Sequence, residues 1–154
     1  MAMQHLLIVL LIASILHVTS SATTNLTVDA TTATAYDILE QNNLPRGLLP
    51  LGVKSYVLHE GAMEVTLPGK CDFKVTLAGK QFTIRYDSTF SGVIRPGSLT
   101  QVYGVRIQLA CDWPAFDHVE RVGGQLNIHA SDNTFSQTQS FPVSIFAQSR
   151  KCNT

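Results

Sequence analysis

The densest group of side chains that could do chemistry lies between Cys111 and Glu120, where carboxylates flank a histidine. Asp117 or Glu120 could orient His118 as a general base, which is how many hydrolases activate a nucleophile. Asp112 and Asp117 could instead act as a carboxylate pair. The competing interpretation is a loop after a strand, with packed aromatic rings and solvated charges. The sequence favours the loop, and His118, Asp117 and Glu120 remain the catalytic candidates.

No established catalytic motif accompanies these residues. The chain has no Gly-x-Ser-x-Gly, His-Glu-x-x-His, P-loop or dinucleotide-binding pattern. Three histidines follow the N-terminal segment, at His59, His118 and His129, and they lack the spacing of metal ligands. No metal and no cofactor are therefore predicted. His59 and His129 occupy polar or turn positions and are predicted to be surface residues.

A second unusual segment is the connector from Leu44 to Val53, which carries four leucines, at Leu44, Leu48, Leu49 and Leu51. Connectors usually run over the surface and are polar. These leucines therefore either plug one end of the domain or contact an apolar ligand. Both possibilities remain open, and the four leucines are the candidate ligand-binding residues.

The N-terminal 22 residues have the pattern of a secretory signal peptide. An apolar stretch from Leu6 to Leu16 precedes small side chains, and cleavage is expected after Ala22. A membrane anchor would need about 20 apolar residues, and this stretch is too short. Residues 23–33 are predicted to be a flexible leader carrying a glycosylation sequon at Asn25. The expected location is outside the cell or in the endomembrane lumen.

Three cysteines remain in what is then an oxidising compartment. Cys111 extends the apolar side of a predicted strand, so it is predicted to be a small buried residue. Cys71 opens another strand and Cys152 lies in the tail, where a bridge would tether the C-terminus. The pairing of Cys71 with Cys152 is favoured, while an intermolecular bridge or no bridge stays possible.

Removing residues 1–22 from the 154 leaves 132, enough for one domain, which is placed at residues 34–152. Eleven basic and eleven acidic side chains balance without forming a charge block. This distribution argues against a nucleic-acid partner and against a basic membrane-binding patch. The oligomeric state is left open.

The hydrophobic pattern predicts an all-β fold with one short N-terminal helix. The helix is expected from Thr34 to Asn42, with Thr34 as N-cap, and to end before Pro45. From Val53 onward apolar and polar residues alternate between Gly- and Pro-containing turns, which is typical of antiparallel strands. We therefore expect an antiparallel pseudobarrel or sandwich of about seven or eight strands.

Several sequence segments carry a family resemblance that covers about Tyr36 to Phe146. They resemble the plant family catalogued as domain of unknown function 538, through these residues: Leu44–Pro50, Val53, Tyr56, Cys71, Gly92–Leu99, Gly104, Val105 and Phe141–Phe146. The resemblance implies a pseudobarrel with an N-terminal helix, similar to the lipid-binding barrels of bactericidal/permeability-increasing proteins. It also implies lipid binding, or binding or hydrolysis of chlorophyll-related pigments.

Three hypotheses follow for the function. The first is a secreted binding module that holds a lipid or pigment near the leucine-rich connector. The second is a small esterase-like hydrolase that uses His118. The third is an extracellular structural or interaction protein.

Overall fold

The computed structural model describes residues 33–153. The predicted signal peptide, most of the predicted leader and the sequon at Asn25 lie outside the described residues. Within the described part of the chain, no helix is long and apolar enough to cross a membrane.

The predicted N-terminal helix is present as α1, Ala35–Gln41. Thr34 caps it: its side chain accepts a hydrogen bond from the backbone of Asp37, whose carboxylate accepts one from the backbone of Thr34. The carboxylate accepts hydrogen bonds from both the backbone N–H and the hydroxyl of Thr34, and these hold the pKa of Asp37 below its ordinary value. The helix buries Ala35, Ile38 and Leu39, so its apolar stripe faces the core.

Eight antiparallel strands form one sheet, which confirms the predicted mostly-β fold. Their bounds are β1 Ser55–His59, β2 Ala62–Thr66, β3 Cys71–Leu77, β4 Lys80–Arg95, β5 Ser98–Ile107, β6 Ala115–Val122, β7 Gln125–Ser131 and β8 Ser136–Pro142. The strand order is β1-β2-β4-β5-β6-β7-β8, and β3 pairs with the first half of β4. Sequential hairpins therefore account for most of the topology.

The sheet curls strongly without closing into a barrel. In a flat sheet β4 and β8 would lie about 19 Å apart, since neighbouring strands are spaced by about 4.8 Å. The ring centroids of Phe82 on β4 and Phe141 on β8 are only 5.3 Å apart. A 3₁₀ turn at Val143–Phe146 packs against both β3 and β8, filling the place where further pairing would close the barrel.

The 3₁₀ turn corrects one sequence-based prediction. The apolar–polar alternation in the sequence includes Phe141, Val143 and Ile145 and so predicts a strand through these residues, but β8 ends at Pro142. Proline has no N–H to donate to a strand ladder, and the turn that follows directs Phe146 into the core beside Phe141 of β8. Their ring centroids lie 5.7 Å apart in an edge-to-face contact.

Cys111 also differs from its prediction, because it is exposed and free rather than buried. Strand β5 ends at Ile107, so the alternation that placed Cys111 inside no longer applies. Leu109 and Asp112 exchange backbone hydrogen bonds across a two-residue turn, with Ala110 at a φ of 55° and Cys111 at its tip. The turn directs the thiol toward solvent.

The C-terminal tail is attached to the sheet by several contacts. Cys71 and Cys152, the pair favoured from the sequence, form a disulfide across 81 residues. The backbone N–H of Asn153 also donates to the carbonyl of Asp72, at 2.7 Å. Gly47 lies so close to this region that a Cβ there would come within 2.2 Å of the carbonyl oxygen of Phe146. Only a glycine permits this approach.

Candidate functional site

The outer face of strands β6, β7 and β8 is polar. On β7 the side chains of Leu126, Ile128 and Ala130 are buried, so the alternate residues point outward. Strand β8 places a serine or threonine opposite three of those outward residues. The outward pairs are Asn127 with Ser140, His129 with Thr138 and Ser131 with Ser136.

A β-bulge at Asp117 brings a carboxylate onto this face. Phe116 pairs with Ala130 and His118 with His129, so Asp117 is an extra residue on β6 with no partner of its own on β7. Because of the bulge, Asp117 lies beside the imidazole of His129. Its Oδ1 lies 2.7 Å from His129 Nδ1.

His129 links Asp117 to a serine on the next strand. Its Nε2 lies 3.0 Å from the hydroxyl oxygen of Ser136, and Ser131 donates a hydrogen bond to the second carboxylate oxygen of Asp117. In a neutral imidazole, an ionised carboxylate beside Nδ1 requires the proton on that nitrogen, and Nε2 then accepts from the serine hydroxyl. The residues Ser136, His129 and Asp117 thus form a continuous hydrogen-bonded chain, called here the serine–histidine–aspartate chain.

The chain has the order of groups found in serine hydrolases: a hydroxyl, a neutral imidazole nitrogen that can take its proton, and a carboxylate that orients the ring. About a third of each partner is accessible, with side-chain exposures of 36% for His129 and 34% for Asp117. The imidazole is therefore held by the protein and still reachable by a small molecule. The arrangement can support nucleophilic attack by Ser136.

The structure differs from the sequence-based hypothesis about which histidine is oriented. Asp117 binds His129, and His118 is the cross-strand neighbour of that histidine. The segment around these residues was favoured as a loop, but residues 115–122 form strand β6. Its Val119 is fully buried, which explains why the segment extends as a strand.

Sequence reasoning missed His129, Ser131 and Ser136 as functional candidates. Their alternation with buried residues on β7 predicts only that they face solvent. Their assembly depends on the β7–β8 register and on the extra residue at Asp117, both of which are contacts between strands. The signal present in the sequence was the combination of His129 and Ser131 on one strand with a serine just after the following turn.

A shallow groove, largely open to solvent and with a volume of about 490 Å³, continues from His129 along the same face. Its walls are polar side chains from three strands: His118, Glu120, Asn127, His129 and Thr138. At its far end Ser140 donates a hydrogen bond to Asn127 Oδ1, at 2.6 Å. The sequence-predicted candidates His118 and Glu120 thus lie in the groove wall.

The four leucines of the connector separate into two groups. Leu44, Leu48 and Leu49 are buried in the core, with exposures of 1%, 4% and 4%, whereas Leu51 is 43% exposed. The cavity beside Leu48 and Leu49 has a volume of about 20 Å³. That is room for about one water molecule. A lipid could enter there only if the connector moved away from the sheet, so the ligand-binding role of these leucines stays a prediction.

Among residues 33–153 no group of three His, Cys, Asp or Glu side chains is arranged to hold a metal ion. His59 lies at the end of β1, with 60% of its side chain exposed.

Comparison with known proteins identifies the family of this chain. Residues 35–147 match the family described as "Protein of unknown function, DUF538". No curated protein and no solved structure matches the chain at a significant level. The match begins at the first residue of α1 and extends one residue beyond the 3₁₀ turn after β8, so it includes all eight strands. The chain therefore belongs to the DUF538 family.

Proposed function

We propose that this protein is an esterase-like hydrolase in which Ser136 is the nucleophile, His129 the general base and Asp117 the residue that orients the base. The hydrogen-bonded chain of these three side chains, with distances of 3.0 Å and 2.7 Å, is the observation that carries the proposal. It retains the esterase hypothesis drawn from the sequence and replaces His118 with His129 as the base.

The reaction proceeds in two steps. Ser136 Oγ attacks the ester carbonyl carbon while its proton moves to His129 Nε2. The carbon–oxygen bond to the alcohol then breaks, and the alcohol leaves with that proton, so the acyl group stays on Ser136. Water, deprotonated by His129, attacks the acyl carbon and releases the acid and the free serine.

Asp117 keeps the base in its active form. Its carboxylate accepts a hydrogen bond from Nδ1–H and stabilises the imidazolium that forms when Ser136 loses its proton. Ser131 donates to the other carboxylate oxygen and so fixes the rotation of the carboxylate. The extra residue at the β-bulge is what allows Asp117 to reach both partners from β6.

We place this activity outside the cytosol. The disulfide between Cys71 and Cys152 supports an oxidising compartment, because such bridges are rare in reducing ones. The signal peptide predicted for residues 1–22 agrees with that location.

The test uses the purified chain and a small chromogenic ester, p-nitrophenyl acetate. Ser136→Ala and His129→Gln should each lower kcat/KM by about 10³-fold, or to the uncatalysed rate, since both remove a group that acts in the chemical step. Asp117→Asn should lower it by a comparable factor, because an amide can hold the wrong imidazole tautomer.

Matched variants separate the proposed chain from general damage. Ser55 is the exposed first residue of the other edge strand, β1, and Ser55→Ala should leave turnover unchanged. His59→Gln is the matched control for His129→Gln, because the His59 side chain is exposed on β1, and it should also leave turnover unchanged. His118→Gln should cost far less activity than His129→Gln. The proposal is wrong if His118→Gln and His129→Gln lose equal amounts of activity. It is also wrong if Ser136→Ala hydrolyses the ester as fast as the unaltered protein.

A further inference from the structure

The polar groove begins at His129, the proposed base, and runs along β7 and β8. From Ser136 to Ser140 the strand advances four residues, a distance of about 14 Å. The groove wall along this path is formed by His129, Thr138 and Asn127, with His118 and Glu120 across from β6. A substrate whose ester lies at Ser136 would thus extend its larger part into the groove.

All the side chains that form the wall are polar. A carboxylate, a carboxamide, a hydroxyl and two imidazoles form it, and each can donate or accept a hydrogen bond. The apolar residues of the same strands point the other way: Val119, Leu126 and Ile128 are at most 1% exposed. A fatty acyl chain in the groove would remove water from the Glu120 carboxylate without replacing its hydrogen bonds, which costs free energy.

Asn127 has a defined orientation. Ser140 donates to its Oδ1, which leaves Nδ2 as the group that can donate to a ligand oxygen. Glu120 lies opposite Asn127 in the β6–β7 ladder, so a donor and a strong acceptor face the same part of the groove. Adjacent hydroxyl groups suit this pairing, because each hydroxyl both donates and accepts.

From these features we infer that the substrate is an ester of a polyhydroxylated, sugar-like alcohol with a short acyl group. The acyl carbon is attacked by Ser136, and the sugar hydroxyls bind to Glu120, Asn127 and Thr138. This inference rests on the proposed esterase function and adds the class of alcohol. It also separates the site from the apolar core, where the lipid or pigment ligand was expected.

The experiment compares three esters: a monoacetylated monosaccharide such as 6-O-acetylglucose, whose other hydroxyls are free, p-nitrophenyl acetate and p-nitrophenyl palmitate. The unaltered protein should hydrolyse the sugar acetate with the highest kcat/KM and the palmitate with the lowest. Glu120→Gln and Asn127→Ala should each lower the ratio of kcat/KM for the sugar acetate to kcat/KM for p-nitrophenyl acetate by about tenfold. The change should come mainly from a higher KM for the sugar acetate.

Gln125→Ala is the matched control, since Gln125 is an exposed residue of β7 outside the groove wall. Its ratio should equal that of the unaltered protein. Circular dichroism on each variant checks that the fold is retained.

The outcomes separate the two proposals. The sugar-ester inference is wrong if hydrolysis depends on Ser136 but is fastest with the palmitate. It is also wrong if Glu120→Gln and Asn127→Ala leave the ratio of kcat/KM for the sugar acetate to kcat/KM for p-nitrophenyl acetate unchanged. Either result leaves the esterase function standing. Hydrolysis of none of the three esters above the rate of Ser136→Ala overturns both.

Discussion

The disulfide between Cys71 and Cys152 offers a stability prediction that can be worked out from the structure. Cys152 is only partly buried, whereas Cys71 is 1% exposed within the core. Cys152→Ser is therefore the milder way to break the bridge, because it leaves the packing around Cys71 in place. Cys111→Ser is the matched control, since that thiol is free and exposed.

The expected magnitude follows from the length of chain that the bridge closes. A separation of 81 residues corresponds to a loss of unfolded-chain entropy equivalent to about 4.5 kcal/mol at 25 °C. The hydrogen bond from Asn153 to Asp72 persists in the folded variant but does not restrain the unfolded chain. It therefore does not offset this loss. For a domain of this size each kcal/mol corresponds to about 4 °C, so Tm should fall by about 18 °C.

Urea denaturation followed by circular dichroism measures the effect. Cys152→Ser should lower the free energy of unfolding by about 4.5 kcal/mol and raise the m-value, because its unfolded chain is less compact. Unaltered protein in reductant should behave like the variant, and Cys111→Ser should match the unaltered protein without reductant. A loss below about 1 kcal/mol in Cys152→Ser would refute the loop-entropy reasoning.

Two further substitutions test the packing of the core. Gly47→Ala should destabilise the protein by about 3 kcal/mol or more, since its Cβ would lie 2.2 Å from a backbone carbonyl oxygen. Gly69→Ala, with open space around it, should change the urea midpoint little. Tyr86→Phe should cost about 1–3 kcal/mol at neutral pH, because the buried carbonyl of Leu48 loses the donor that now lies 2.6 Å away. Burial also raises the pKa of Tyr86, so the unaltered protein should lose stability as pH rises above about 10, where only the unfolded phenol ionises. The Tyr86→Phe variant should lack that part of the alkaline loss, and Tyr103→Phe, at a residue 70% exposed, should leave it unchanged.

The sequence predicted the fold class because the information for it is local. Alternation of apolar and polar residues specifies which side of each strand is buried, and Thr34 with Asp37 specifies the start of α1. The sequence-based predictions were wrong where tertiary contacts override the local pattern. The turn after Pro142 serves the packing of Phe146, and the turn at Cys111 begins where β5 has already ended.

The candidate site was only partly predictable for the same reason. Asp117 was named from the sequence, because a carboxylate beside a histidine is a local feature. Its true partner, His129, lies on another strand, and their contact requires the one-residue shift at the β-bulge. Ser136 requires the β7–β8 register in addition. No single strand carries that information.

The β-bulge and the two hairpins that carry the proposed site are also contiguous in the chain. Strands β6, β7 and β8 run from Ala115 to Pro142, 28 residues in all, and every residue of the serine–histidine–aspartate chain and of the groove wall belongs to them. The residues of the site therefore lie close together in the sequence. Its geometry depends on two hairpin registers, whereas the disulfide and α1 lie elsewhere in the domain. Substitutions within this one stretch can therefore create, remove or alter the site's chemical activity while the rest of the fold stays the same.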